Sequence, residues 1–307
     1  MRTRFAPDRG LTGRMLATTF LLGLLYVAFA GALFVLLKSA VLAVVIAGAA
    51  LFAQYWFSDR IALFAMHGRT VTPEEAPQLH GRIDRLCALA DMPKPAVAIA
   101  DVDLPNAFAT GRSPAKSVVC VTSGILRRLD GEELDGVLAH ELSHVAHRDV
   151  AVMTIASFLG VLAGLIVRFG LFAGYSGALG AGRRRDDNGD NVAVLVMAVV
   201  AVSAVVYAVS FLLIRALSRY RELAADRAGA LLTGQPSALA SALTKITGEM
   251  SAIPTRDLRE AQAFNAFFFA PALAPGVALT ALLATHPPLE QRLTQLSDLS
   301  RELGQES

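Results

Sequence analysis

Apolar positions gather into four long runs along the chain, at residues 15–37, 40–57, 150–167 and 192–214. Each comes near the about 20 residues that carry a helix across a bilayer. Only Lys38 and Ser39 part the first two, which predicts a tight helical hairpin. A Gly- and Arg-rich loop parts the last two. Between the runs the pattern is that of a water-soluble fold. Thr72-Pro73-Glu74-Glu75 predicts a helix start, with Thr as cap and Pro in the first position, and the helix should stop near Ala90, before Pro93. Residues 97–100 and 117–122 read as short strands. Between them, Asn106 to Gly111 reads as an edge strand beside a cleft, or else Asn106 is a turn residue after Pro105. Asp130 and Glu133 sign a further helix, which Leu134, Leu138, Leu142 and Val145 stripe at about 3.6-residue spacing. Gly234 and Pro236 close a helix through Glu222, and a short helix follows to about Met250. Phe264 to Phe269, with Pro271 and Pro275 behind it, is too broken to span and predicts a core segment. A last helix from Pro288 to about Leu303 carries Leu289, Leu293, Leu296 and Leu299 on one face.

Composition agrees with membrane residence. The chain is 54% hydrophobic and 18% charged, too apolar for an ordinary soluble protein. A net charge of +2 gives no global attraction to nucleic acid. Two cysteines, Cys87 and Cys120, make no disulfide framework and suit a reducing compartment. Arg2, Arg4, Arg9 and Arg14 with Ala28-Phe29-Ala30 would also fit a cleaved signal peptide, but the apolar run continues past Ala30, too long for a signal core. The N-terminal arginines, Arg60 and Arg69, and Arg215, Arg219 and Arg221 flank the runs on sides that the positive-inside rule makes cytoplasmic. Arg183, Arg184 and Arg185 disagree if runs three and four both cross, so either those runs insert only partly or the first two dominate.

The chemistry concentrates in His140-Glu141-Leu142-Ser143-His144. Residues four apart share a helix face, so His140 and His144 can grip one metal ion. Glu141 lies roughly 100° round the helix, where a general base for a metal-activated water belongs. A catalytic zinc takes three protein ligands. His147 is too far along the axis from His140, about 10.5 Å at 1.5 Å per residue, and suits the helix end instead. Glu222 and Asp226, again four apart, are the better source: Glu222 as third ligand, and Asp226 accepting the free N–H of a ligating histidine. Because His140 and Glu222 must reach one ion, the chain crosses the bilayer between them twice or not at all.

His-Glu-Leu-Ser-His followed by the S-R-x-x-E-x-x-A-D pattern of Ser218 to Asp226 resembles the HtpX family of membrane zinc endopeptidases, relatives of the CAAX prenyl proteases. Asn106-Ala107-Phe108-Ala109-Thr110-Gly111 is similar to the family's asparagine-bearing active-site strand, and His286-Pro287-Pro288 with Arg292 to its H-P-P-x-x-x-R element. The likeness runs from about residue 10 to 300. It implies a gluzincin-type fold, one Zn²⁺, and cleavage of membrane or misfolded proteins. It also suggests that His286 or Arg292 serves the site, His286 as a positive group near the oxyanion and Arg292 at the substrate or paired with Glu222 or Asp226.

The expected molecule is a mainly α membrane protein with up to four transmembrane helices and a gluzincin-like zinc protease domain with a small β-sheet. Its divisions are a transmembrane hairpin at 1–58, a first protease part at 59–149, two further apolar segments at 150–214, and a second protease part at 215–307. Glu141 and His286 are the expected catalytic residues; His140, His144 and Glu222 the metal ligands; Asp226 their support; Asn106 and Arg292 the substrate contacts. The expected partners are polypeptides, chiefly membrane proteins, and the lipid bilayer, with no nucleic acid. The expected setting is the inner (plasma) membrane, multi-pass, with the site facing the cytoplasm. The competing functions are a CAAX-type processing protease and a membrane adaptor whose zinc is structural.

Overall fold

A computed structural model describes residues 9–36, 66–149, 187–252 and 286–304, with isolated residues between them. By its contacts the chain divides into two units. One joins Met1–Met15, Gln54–Val152 and Ser218–Ser307; the other joins Leu16–Ala53 and Met153–Leu217.

The first unit is built round a four-stranded mixed sheet. Its strands are β1 (Gly68–Thr70), β2 (Ala96–Ala100), β3 (Ala107–Ser113) and β4 (Lys116–Thr122), in the order β1-β2-β4-β3. β2 and β4 run parallel, and the outer pairs are antiparallel. β3 is therefore an edge strand. Asn106 and Thr122 form a hydrogen-bonded pair at its start, with Thr122 N–H donating to the Asn106 carbonyl at 2.9 Å. Narrow and wide pairs alternate in an antiparallel ladder. Ala107 and Ala109 consequently turn their N–H and C=O groups away from β4, toward the edge that no other strand among the described residues pairs with.

Helix α2 (Pro77–Ala90) lies between β1 and β2 in the chain. It begins four residues later than Thr72 predicts, with Ala76 in place of Thr72 as the cap residue. Thr72 does offer its N–H to the Glu75 carboxylate at 2.8 Å, but the chain closes a single turn there, and Pro77, with its preset φ and missing N–H, begins the helix proper. Thr122 caps the short α3 (Ser123–Arg128) by accepting from Ile125 N–H. α4 (Gly131–Ala146) starts with a complete capping box, Asp130 on the N–H groups of Glu132 and Glu133 and Glu133 back on Asp130 N–H. It is buried nearly all round, unlike the half-buried stripe its leucines suggest. β3 and β4 pack on it, as do α2 and α6 (Pro236–Ala252). Ile83, Leu86, Val119, Val121, Ile125, Leu138, Leu142, Leu239 and Leu243 form the shared core.

The 47-residue α5 (Asp187–Thr233) runs unbroken from the fourth apolar run through Glu222 and Asp226. Nothing in its sequence breaks the helix until Gly234, at φ +70°. α7 (Leu289–Glu302) then packs on α6. In the second unit, α1 (Arg9–Leu36) contributes Leu22 and Phe29, and α5 contributes Val199 and Val206, to buried positions. Leu16, Phe20, Leu24, Val27, Val194, Met197, Val205 and Leu212 remain exposed. α1 and α5 are both long and apolar enough to cross a membrane, and their bare apolar faces call for a hydrocarbon solvent. The expected crossings at 40–57 and 150–167, and the 264–276 stretch, lie largely or wholly outside the described residues.

Candidate metal centre

α4 and α5 meet at a glycine. A Cβ on Gly229 would come within 2.8 Å of His140 N and 3.1 Å of its Cα, so only glycine lets the two backbones approach so closely. Seven residues before Gly229, two helical turns, Glu222 shares its face and is carried to the histidines.

Nε2 of His140 and Nε2 of His144 are 3.1 Å apart. The Glu222 carboxylate stands 3.8 Å from the first, through Oε2, and 3.5 Å from the second, through Oε1. On the far side of each ring is another carboxylate: Asp226 Oδ1 is 2.9 Å from His140 Nδ1, and Asp149 accepts from His144 Nδ1. These partners assign the imidazole protons to Nδ1. Both Nε2 atoms then present lone pairs to each other and to a carboxylate, three donors of electron pairs with no proton among them. A cation between them removes that repulsion. The spacing suits one: four-coordinate bonds of about 2.0–2.1 Å put neighbouring ligand atoms about 3.3 Å apart. Among the described residues these three alone form such a group. Burial also lowers the His140 pKa below its ordinary value, against the pull of Asp226, which keeps the ring neutral and fit to ligate.

Comparison with known proteins gives the family. The model for Peptidase family M48 matches residues 73–300. The chain belongs to peptidase family M48. "Protease HtpX homolog 1" of Streptomyces coelicolor is 65% identical over 305 residues, covering 99% of this chain and 98% of that protein. "Protease HtpX homolog" of Moorella thermoacetica is 51% identical over 303 residues, 99% of each. The crystal structure of S. mikatae Ste24p shares the fold, with a TM-score of 0.53 at 20% identity, over 92% of this chain and 66% of that one. The chain is thus an HtpX-type M48 protein, a metalloendopeptidase by family.

In this M48 peptidase Glu141 is 4% exposed, next to the histidines. Burial pushes its carboxyl up to about 8, offset in part by His144 and by a backbone hydrogen bond from Ala109. That bond ties the expected base to the open edge of β3. His147 bonds the Ser143 carbonyl at 2.7 Å and ends the helix. His286 is buried and sets Nδ1 3.0 Å from Glu222 Oε2.

The two expected substrate contacts, Arg292 and Asn106, are both buried. Arg292 is 2% exposed and forks onto Asp226, Nε to Oδ2 and Nη2 to Oδ1, both at 2.7 Å. The fork braces the Asp226 carboxylate, and Nη1 of the same guanidinium stands 3.9 Å from Glu222 Oε2. Asn106 is fully buried, its N–H on Thr122 Oγ1 at 2.9 Å and its carbonyl on β4, so the edge groups belong to Ala107 and Ala109.

Asp149 and Arg221 were not legible as site residues. Arg221, 4% exposed, pairs with Asp149 as Arg292 pairs with Asp226. Each histidine is therefore held by an aspartate, and each aspartate by an arginine. Asp149 reaches His144 only because Arg148 takes φ +57° and folds the chain back past the end of α4. A carboxylate five residues beyond the second histidine was the available signal.

Proposed function

We propose that this protein is a membrane-embedded zinc endopeptidase that cleaves membrane or misfolded proteins for quality control. His140, His144 and Glu222 would hold one Zn²⁺, with Asp226 and Asp149 orienting the two rings. Zinc bound there supplies Lewis acidity to the scissile carbonyl and to the attacking water. The chain's own residues do the rest. Glu141 takes a proton from the attacking water and returns it to the leaving amine. The edge of β3 receives the substrate as an added strand, at Ala107 and at the Ala109 carbonyl, while the Ala109 N–H holds Glu141. His286, anchored on Glu222 through Nδ1, leaves Nε2 for the oxyanion.

The observation that carries this reading is the convergence of three proton-free donors beside a buried carboxylic acid. A structural zinc would call for a fourth protein ligand. The apolar runs at 150–167 and 192–214 begin and end within a few residues of Asp149 and Ser218, which supports a site at the bilayer surface and substrates that are membrane proteins. Inner-membrane residence with several crossings and a cytoplasmic site follows from the basic flanks.

The test is Glu141→Gln. The variant should bind zinc as wild type does and lose proteolysis by at least about a hundredfold. Full activity in that variant would end the proposal. Cleavage of one substrate in membrane-embedded and soluble forms tests the substrate class.

A further inference from the structure

The chain holds a single tryptophan, Trp56, at the end of the 40–57 apolar run. The Arg112 guanidinium lies over its ring, with Cζ 3.8 Å from the centroid, and Arg112 Nη1 donates to the Trp56 carbonyl at 3.3 Å. Arg112 belongs to β3, three residues beyond Ala109. Trp56 keeps 44% of its surface exposed despite this cover, beside Phe57 at 44% and Phe64 at 87%. Large aromatic side chains so exposed within nine residues of one another, with Arg60 among them, do not suit water. They suit the headgroup zone, where an indole keeps its ring in acyl chain and its N–H in a wet layer. A second pair in the same unit has the same character: Arg14 Cζ stands 6.0 Å from the Tyr220 ring centroid. Arg14 directly precedes the 15–37 run, and Tyr220 closely follows the 192–214 run. Arginine–aromatic pairs thus mark the polar ends of three of the four apolar runs.

We propose that the Trp56–Arg112 pair couples the edge strand to the bilayer interface and acts as a ruler for the cut. The partner of the aromatic patch is the lipid headgroup layer. Trp56 sits at a fixed depth in it, and Arg112 hands that depth to β3. From Arg112 to Ala109 an extended strand advances about 10 Å, three residues at about 3.3 Å each. A substrate strand paired at Ala107 and Ala109 is cut a few residues from its membrane anchor, and bonds farther out fall beyond the site. This deepens the proposed function and rests on its assignment of the β3 edge to substrate.

Because Trp56 is the sole indole, emission from the whole protein reports on it alone. Glu141→Gln protein is reconstituted in phosphatidylcholine vesicles brominated at shallow or at deep acyl carbons. Shallow bromines should quench Trp56 strongly and deep ones weakly. No quenching by either, as for an indole covered by protein or facing water, overturns the proposal. The second arm uses peptides that carry one cleavable sequence at stepped distances from a membrane anchor, and the same sequence unanchored. Wild type and Arg112→Lys, which keeps the cation over the ring, should cut in one narrow window of distances. Arg112→Gln should broaden that window and lower the anchored-to-unanchored cleavage ratio about fivefold, the worth of roughly one such contact. An unchanged window in Arg112→Gln sinks the ruler and leaves the protease reading intact. If that reading itself is wrong, wild type cuts neither peptide, and the ruler falls with it.

Discussion

Gly229→Ala is the most demanding test of how the site is assembled. The added Cβ would meet His140 N at 2.8 Å, His140 Cα at 3.1 Å and Ala139 C at 3.2 Å, all backbone atoms that no rotamer change can move aside. Ordinary contact begins near 3.4 Å, so α5 and α4 must part by about 0.6 Å at this point. Overpacking of this kind costs about 1–3 kcal/mol, while replacing a mid-helix glycine by alanine returns about 1 kcal/mol. Global stability should therefore fall by no more than about 2 kcal/mol. The metal site should suffer more. Glu222 and Asp226 both ride on α5, and ligand distances tolerate only about 0.2 Å.

The expected result is a protein that folds near normally yet binds zinc at least about tenfold more weakly, measured by competition with a chromogenic chelator on metal-free protein in detergent. Proteolysis at a fixed, limiting zinc concentration should fall in step. Gly81→Ala is the control, since its Cβ would meet nothing within 4 Å on the exposed face of α2; it should raise the melting temperature slightly and leave zinc affinity alone. If Gly229→Ala behaves like Gly81→Ala, more stable and with unaltered zinc affinity, the close crossing of the two helices does not position the ligands and the reasoning fails.

Other substitutions test separate links. Asp149→Asn should weaken zinc binding about 10–100-fold, and adding Arg221→Leu to it should cost little more, because the pair is already broken; simple additivity in this double variant would show that the two residues act apart. Thr122→Val removes an oxygen that accepts from the N–H groups of Asn106 and Ile125, at 2.9 and 3.2 Å. Leaving two buried donors unpaired should cost about 2 kcal/mol or more in chemical denaturation. Metal-free protein should lose stability as pH rises: Glu141 titrates near 8 when folded and near 4.5 as a free side chain, so its contribution is full below the lower value and is lost as pH climbs through the upper, by up to about 1.4 kcal/mol per unit. Glu141→Gln should flatten that slope, and near neutral pH wild type, but not the variant, should release about one proton on zinc binding, seen calorimetrically in buffers of different ionisation heat.

What the sequence disclosed depended on how local the signal was. The capping box at Asp130 and Glu133, the β2 and β4 strands and the stop at Gly234 are all decided within a few residues, and each is legible. The start of α2 was misplaced because two competing local signals lie five residues apart: Thr72 with Glu75 makes one turn, and Pro77 makes the helix. Arg292 was readable either as a substrate contact or as a partner of Glu222 or Asp226; the fork onto Asp226 spans 66 residues of chain, so nothing in the spacing chose between them. Asp149 needed the left-handed turn at Arg148, a conformation that glycine or asparagine would have advertised and arginine conceals. Gly229 looked like an ordinary small residue on a helix, and its meaning appears only when α4 lies against it.

The same contacts bear on the proposed cation. Four carboxylates, Glu141, Asp149, Glu222 and Asp226, are gathered in or beside a largely buried space with two guanidiniums, Arg221 and Arg292. If all four were ionised, two negative charges would stand uncompensated in a low dielectric, a heavy cost. Without metal, burial keeps Glu141 protonated past neutral pH, which removes one of them. A divalent cation among His140, His144 and Glu222 would cancel both, and the ionised form of Glu141 would then be the one that balances the site. A metal held by His140, His144 and Glu222 would thus favour Glu141 as a base rather than a neutral acid, next to the β3 edge that holds it through Ala109. The arrangement that would make the protein catalytic is the one that makes its buried charges sum to zero.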